Sequence, residues 1–257
     1  MDAKKCKAQT FVNRPETFGL SEDEALSILQ EGKIIGGQQI PWGSNHTFQV
    51  RIDAGANRHI RAIYKPRDGE RPLPDFPGDS LYKREYAAYL LGVFLGWPKI
   101  PLTVIREGPY GIGSIQLYVE SENKVTYFDL IADHSDELLS FAVFDVLVNN
   151  ADRKAGHCIR GSQGEIWSID HGLTFHSDFK LRTVMLEFWG VSIPRSLIDA
   201  LGRLDQELRS DTEMTANLLR LLAEKEFNAL QGRLEILLKE SVIPKLDPHV
   251  NVPWPLK

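Results

Sequence analysis

The chain has 257 residues, a formal net charge of -5, 42% hydrophobic residues and 25% charged residues. These values lie near globular averages. They allow one large domain or two lobes around a shared cleft, and they argue against a nucleic-acid partner, which calls for a basic footprint. Cys6 and Cys158 are the only cysteines. They offer neither a disulfide framework nor zinc-ligand spacing, and free thiols fit a reducing compartment. The charged start, Met1 to Lys5, is not followed by an apolar stretch, so no secretory signal is expected. No apolar run approaches the roughly 20 residues of a membrane helix. The expectation is a soluble cytoplasmic protein with no membrane span, no internal repeat and no low-complexity tract.

Residues 1–19 read as a loose lead-in. Ser21 with Glu24 three residues later forms a capping box, Ala25, Ile28 and Leu29 give an apolar face, and Gly32 ends the helix. Residues 34–40 and 47–52 read as strands joined by Pro41-Trp42-Gly43-Ser44-Asn45-His46. The small residues Gly43, Ser44 and Asn45 suit either a hairpin turn or a tip whose amides cover phosphates. Arg58 to Pro66 is a third strand. Its alternation puts Ile60, Ala62 and Tyr64 on one face and Ile63 and Lys65 on the other. Lys65 is either a solvated edge lysine or a point charge for nucleotide phosphates.

Residues 67–79 are too proline-dense for helix or inner strand and read as a long loop. A helix follows, with Leu81, Glu85, Ala88, Tyr89, Val93 and Phe94 at helical spacing up to Gly96. Glu85 lies near the apolar stripe and needs a cation. Lys65 is one candidate; Lys83 or Arg84 at the surface is the other. Residues 101–106 and 113–120 are strand-like, and residues 121–127 read as a polar connector between lobes. The organisation expected is a lead-in and helix over 1–32, a first lobe over 33–120 and a second over 121–257.

The second lobe opens with an almost continuously apolar helix from Asp136 to Val148, which should be buried on most sides. It delivers the polar run Asn149-Asn150-Ala151-Asp152-Arg153-Lys154-Ala155-Gly156-His157. Two short strands around Gly161-Ser162-Gln163-Gly164 then lead to Ile169-Asp170-His171-Gly172. Carboxylates from a loop and from a strand end are what phosphoryl transfer needs, one for the nucleophile and one for a metal. Helices are expected over 182–189, 194–203 and 211–239, the last with Leu218, Leu222, Leu230, Leu234 and Leu237 in the core. Residues 244–257, with four prolines and Trp254, should lie extended on the surface.

A five-stranded lobe with one helix, followed by a helical lobe carrying Asp-Arg-Lys and later Asp-x-Gly, is a kinase order of events. The chain resembles bacterial proteins of the phosphatidylinositol 3-/4-kinase-like family, in the atypical kinase group that includes the HipA-type kinases. Asp152-Arg153-Lys154-Ala155-Gly156-His157 and Asp170-His171-Gly172 stand where lipid kinases carry Asp-Arg-His-x-x-Asn and Asp-Phe-Gly. Residues 64–73, Asp75-Phe76-Pro77, Arg84-Glu85, Gly108-Pro109-Tyr110-Gly111 and Pro253-Trp254-Pro255 also match the bacterial subgroup.

The resemblance implies an α+β, bilobal protein-kinase-like fold, its N-lobe an antiparallel sheet plus one helix and its C-lobe mainly helical. It implies an ATP-dependent phosphotransferase using Mg²⁺, or Mn²⁺, and acting on a hydroxyl of an unknown protein, small molecule or lipid. Gly43, Ser44 and Asn45 would cover the phosphates, and Lys65, paired with Glu85, would contact them. Gln116, Tyr118, Val119 and Glu120 would line the adenine pocket. Asp152 would act on the acceptor hydroxyl, Lys154 or Arg153 would steady the phosphoryl group or brace the loop, and Asp170 would hold the metal. His157 departs from the family's asparagine: it is a metal ligand, a strut, or the mark of a weakened enzyme. Two other readings therefore use the same residues. One is a nucleotide-binding pseudokinase scaffold; the other is a metal-dependent phosphohydrolase built on His157, Asp152, Asp170 and His171 with no role for Lys65. Transfer of AMP by a flipped nucleotide in the same cleft is a further possibility.

Overall fold

The computed structural model describes residues 19–41, 45–121 and 125–256. The first helix, α1 (Glu22–Glu31), begins at the Ser21–Glu24 capping box and stops at Gly32. Its buried face, Ala25 and Leu29, packs on the sheet. That sheet contains β1 (Ile34–Gln39), β2 (Phe48–Asp53), β3 (His59–Pro66), β4 (Thr103–Gly108) and β5 (Gly111–Leu117) in the order β1-β2-β3-β5-β4. Every pairing is antiparallel.

The alternation in β3 holds residue by residue, with Ile60, Ala62 and Tyr64 fully buried and Lys65 turned to the opposite face. β5 lies between β3 and β4, so close to β3 that a Cβ on Gly113 would collide with the Lys65 carbonyl oxygen. Lys65 therefore sits on an inner strand and is not an edge lysine.

Between β3 and β4 the chain forms one 3₁₀ turn at Arg67–Gly69, the proline-rich loop, and α2 (Leu81–Leu95), which ends at Gly96 with φ of 78°. The loop anchors α2. The Glu70 carboxylate accepts the Ser80, Leu81 and Tyr82 amides at 3.0, 3.1 and 2.9 Å. It satisfies donors that a helix N-terminus leaves open, with a charge the helix dipole favours.

The second lobe holds α3 (Tyr127–Leu130), α4 (Ser135–Val148), a two-stranded sheet of β6 (Cys158–Arg160) and β7 (Ile166–Ser168), then α5 (Arg195–Leu208), α6 (Glu213–Leu221) and α7 (Glu224–Glu240). In α4 every residue from Leu138 to Val148 is buried. One apolar core runs unbroken from the face of the large sheet through α2 to the helices of the second lobe. The fold is α+β and bilobal, with an antiparallel sheet in one lobe and mainly helices in the other. Among the described residues no helix is long and apolar enough to cross a membrane.

Three expected elements differ. The helix expected over 211–239 is two helices. Leu222 and Ala223 are extended, and the Glu226 carboxylate caps the Ala223 amide at 3.0 Å. All five core leucines are buried nonetheless. Residues 182–189 hold only a 3₁₀ turn, Leu186–Phe188. The segment instead runs beside Arg153, exchanging Arg153 N–H to Arg182 O and Val184 N–H to Arg153 O bonds of 2.9 and 3.1 Å. The C-terminal segment is tied down as well as extended. Pro253 is buried, Asn251 bonds to Leu181 and Thr183, and the Ala155 amide donates to the Leu256 carbonyl at 2.9 Å.

A buried ion pair joins the lobes. Arg84 of α2, 1% exposed, donates to Glu226 of α7 and to the Thr174 carbonyl. Removing one partner leaves a charge in the core. Arg84→Met is therefore expected to cost about 3–5 kcal/mol of folding stability, measured by urea unfolding. A loss under about 1 kcal/mol would show that the pair is not sealed from water.

Candidate active site

The cleft between the lobes holds a cavity of about 330 Å³. Its lining includes Asn45, Lys65, Glu70, Glu85, Gln116, Asp152, Lys154 and Asp170. β3 brings Lys65 from one side. α2 brings Glu85, and the loops after α4 and β7 bring Asp152 and Asp170 from the other. The Lys65 ammonium contacts the Glu85 carboxylate and lies 3.0 Å from Asp170 Oδ1. The second Glu85 oxygen accepts the His171 amide at 3.0 Å. One glutamate thus fixes both the lysine and the backbone beside Asp170.

The charges follow from this placement. Burial works against the Lys65 ammonium, but Asp170 and Glu85 outweigh it and raise its pKa. Lys65 in turn holds the half-exposed Asp170 carboxyl well below the usual range. Asp170 also adopts φ of 62°, a left-handed conformation that costs a non-glycine residue energy. Asp152 is pushed upward by burial, against the pull of Lys154, whose ammonium stands 2.9 Å away. Two carboxylates in one cleft therefore have opposite tendencies, one held ionised and one drawn toward accepting a proton.

The loop carrying Asp152 is built on buried polar bonds. Asn149 caps α4 with φ of 55°, and its side chain bonds to the backbone of His176, Asp178 and Lys180. The Asn150 side chain donates to Asp145 and accepts the Asp152 amide at 3.0 Å. Asp145 also receives Arg153 through Nε and Nη2 at 2.7 and 2.8 Å.

Arg153 is fully buried. Its remaining contacts go to the His157 and Ile169 carbonyls, to Ser168 and to His171 Nε2. Of the two roles open to it, contact with a phosphoryl group is the one this enclosure removes; it braces the loop. Lys154 stays in the cleft. Asp145, Asn149, Asn150 and Glu70 are the contributors that sequence reasoning missed. For Asp145 the signal available was a carboxylate inside an otherwise apolar helix, since a buried polar group implies a partner.

Of the residues expected around adenine, Gln116 lines the cavity, with its amide 2.9 Å from Thr103 Oγ1. Tyr118, Val119 and Glu120 do not line it. Val119 is buried elsewhere, while Arg61 draws Tyr118 and Glu120 away by a cation–π contact and an ion pair. Asn45 lines the cleft and accepts the Arg71 amide at 2.9 Å. Gly43 and Ser44, also expected at the phosphates, lie outside the described residues.

His157 Nε2 is 3.4 Å from Asp170 Oδ2, and Nδ1 accepts the Lys154 amide at 3.4 Å. Burial lowers the His157 pKa to about 4. With Nδ1 accepting, the one proton of the neutral ring belongs on Nε2, facing the carboxylate. That tautomer makes His157 a donor to Asp170. His171 is buried, its Nε2 2.9 Å from Ser168 Oγ and 3.1 Å from Arg153 Nη2. Among the described residues no group of three or more histidine, cysteine, aspartate or glutamate side chains converges as a metal cluster. With Lys65 and Glu85 beside the carboxylates, the arrangement opposes the phosphohydrolase reading.

A histidine that is neutral when folded and protonates near pH 6.5 when unfolded makes the unfolded state bind more protons in between. Stability is therefore expected to fall as pH drops from 6.5 toward about 4. His171 is lowered in the same direction by burial. His157→Gln should reduce the slope of unfolding free energy against pH by about one proton, read from urea titrations of the metal-free chain. An unchanged slope would place His157 in water.

No protein-family model matches the chain. In fold it is similar to the Golgi casein kinase, at TM-score 0.57 and 16% identity over 87% of this chain and 78% of that one. A form of that kinase with Mn/ADP bound aligns equally well, covering 84% of this chain and 74% of that one. The Helicobacter pylori proinflammatory kinase CtkA aligns at TM-score 0.51 and 13% identity over 84% and 94% of the two chains. These superpositions show a shared kinase-like fold. In sequence the chain is 34% identical to Protein Rv2133c of Mycobacterium tuberculosis (strain ATCC 25618 / H37Rv), over 91% of this chain and 95% of that protein, and it belongs to the family of Protein Rv2133c.

Proposed function

We propose that the chain is an ATP-dependent kinase of the atypical, phosphatidylinositol 3-/4-kinase-like kind, transferring a phosphoryl group to a hydroxyl. The observation that carries this reading is Lys65 held between Glu85 and Asp170 across one cleft, with Asp152 and Lys154 on its wall. Lys65 contacts nucleotide phosphates as a fixed positive charge. Gln116 and neighbouring apolar groups receive the base. The acceptor oxygen attacks the γ-phosphorus as the bond to the β–γ bridging oxygen breaks. The acceptor proton passes to the Asp152 carboxylate, and Lys154 offsets charge on the moving group.

Ionised Asp170 offers a hard oxygen donor suited to Mg²⁺ or Mn²⁺. Asp170 would hold such a cation, which when bound offsets charge on the phosphates. His157 orients Asp170 from the side. The Golgi casein kinase form with Mn/ADP bound, similar to this chain in fold, supports this reading.

One observation favours a second reading. The proton assigned to His157 Nε2 removes the lone pair a second metal ligand needs. A scaffold that binds nucleotide without turning it over is consistent with that loss.

Incubation of the chain with γ-labelled ATP, Mg²⁺ or Mn²⁺ and host lysate, followed by mass analysis, tests the kinase reading. Transfer should fall about 10²- to 10⁴-fold in Asp152→Ala with nucleotide affinity little changed. Lys65→Met should chiefly raise the KM for ATP. Nucleotide binding with no transfer under either metal would support the scaffold instead.

A further inference from the structure

Gln116 of β5 is 9% exposed and lines the cleft cavity. The sheet register pairs it with Ile63 of β3 on one side and with Thr103 of β4 on the other. Cross-strand partners share a face of the sheet, so Gln116 stands one residue pair from Lys65, roughly 7 Å along β3. Ile63 lines the same cavity, and so does Ile169 from the second lobe. Beside the lysine the cleft therefore offers apolar surface and one side-chain amide.

That amide has a fixed direction. Thr103 is fully buried, and its hydroxyl stands 2.8 Å from the Pro101 carbonyl and 2.9 Å from the Gln116 side chain. A hydroxyl carries one proton, and a carbonyl can only accept. The Thr103 proton therefore goes to Pro101, and Thr103 Oγ1 is left to accept from Gln116 Nε2. Were the amide turned over, one proton would have to serve two oxygen contacts, both below 3 Å. The assignment leaves Gln116 Oε1 as an acceptor. Among the described residues it has no donor, and it is not one of the polar atoms sealed from solvent, so it opens to the cavity that its residue lines.

We propose that Gln116 Oε1 reads the base in this cleft: it accepts a hydrogen bond from the exocyclic amino group of adenine, and Thr103 and Pro101 hold it in that orientation. A 6-oxo purine sets a carbonyl oxygen against Oε1, and a purine with no 6-substituent leaves it unpaired; both lose affinity relative to adenine. Thr103 and Pro101 act through Gln116 and are positioning residues. The inference rests on the reading that the cleft takes a nucleoside triphosphate.

The test is displacement of an ATP analogue, carrying its fluorophore on the ribose, from the full-length protein with Mg²⁺ present. The competitors are ATP, GTP and purine riboside triphosphate, which lacks the amino group. ATP should bind at least tenfold more tightly than GTP and at least fivefold more tightly than purine riboside triphosphate. Thr103→Val keeps the side-chain shape and removes the hydroxyl; it frees the amide to turn, and the ATP-to-GTP affinity ratio should fall at least threefold. Gln116→Met should bring ATP and purine riboside triphosphate to equal affinity. Each ratio is taken within one protein, so a general loss of stability does not move it. If neither variant folds, the three-ligand comparison on the unmodified chain decides. Equal affinities there, or a full preference for ATP retained in either variant, overturn the proposal and leave the kinase reading standing. If no triphosphate binds, the nucleotide reading falls and this proposal falls with it.

Discussion

The Lys65 ammonium joins the two lobes electrostatically inside the cleft. It stands on an inner strand of the large sheet, contacts Glu85 of α2 and lies 3.0 Å from Asp170 of the second lobe. Each partner would be unfavourable without it. Glu85 is almost fully buried, and Asp170 combines a left-handed backbone with a nearby second carboxylate, Asp152. One cation therefore stabilises an arrangement that two carboxylates alone would repel. The same cation is unshielded on its cleft side, where an anionic ligand would meet it.

Lys65 can hold this position only if α2 is fixed, and α2 is fixed at three levels. Glu70 caps its first turn from the proline-rich loop. Arg84 ties it to α7 and to the Thr174 carbonyl, just beyond the Asp170-His171-Gly172 stretch. Glu85 closes the set on the His171 amide. Consecutive residues on one helix turn, Arg84 and Glu85, thus point to different parts of the second lobe. The helix has little freedom to swing without breaking buried ionic contacts, which are far costlier to break than surface pairs.

Much of this was legible in the sequence because it follows from periodicity and local chemistry. The alternation from His59 to Pro66 placed Lys65 on the face opposite Ile60, Ala62 and Tyr64. The apolar run from Leu138 to Val148 identified a buried helix delivering Asp152. The capping box at Ser21 and the stop at Gly96 placed helix ends. What the sequence hid was set by long-range pairing. Arg153 reads as a candidate site residue until Asp145, on the preceding helix, is seen to enclose it. Tyr118 and Glu120 follow a strand that reaches the cleft at Gln116, yet Arg61 on a neighbouring strand pulls them aside. The break between α6 and α7 depends on Glu226 serving at once as cap and as partner of Arg84, and helical spacing carries no trace of that.

His157 shows how a local substitution acquires meaning only from its surroundings. By residue type it is a ligand candidate. Its Nδ1, however, is used by the Lys154 amide, and its ring is neutral under a pKa lowered to about 4. The single remaining proton then lies between Nε2 and Asp170 Oδ2, while Lys65 faces Oδ1 of the same carboxylate. Asp170 is consequently held from both oxygens by donors of different kinds, one charged and one neutral. A neutral donor orients the carboxylate without cancelling its charge. That leaves Asp170 ionised and aimed, the condition a cation-holding residue needs.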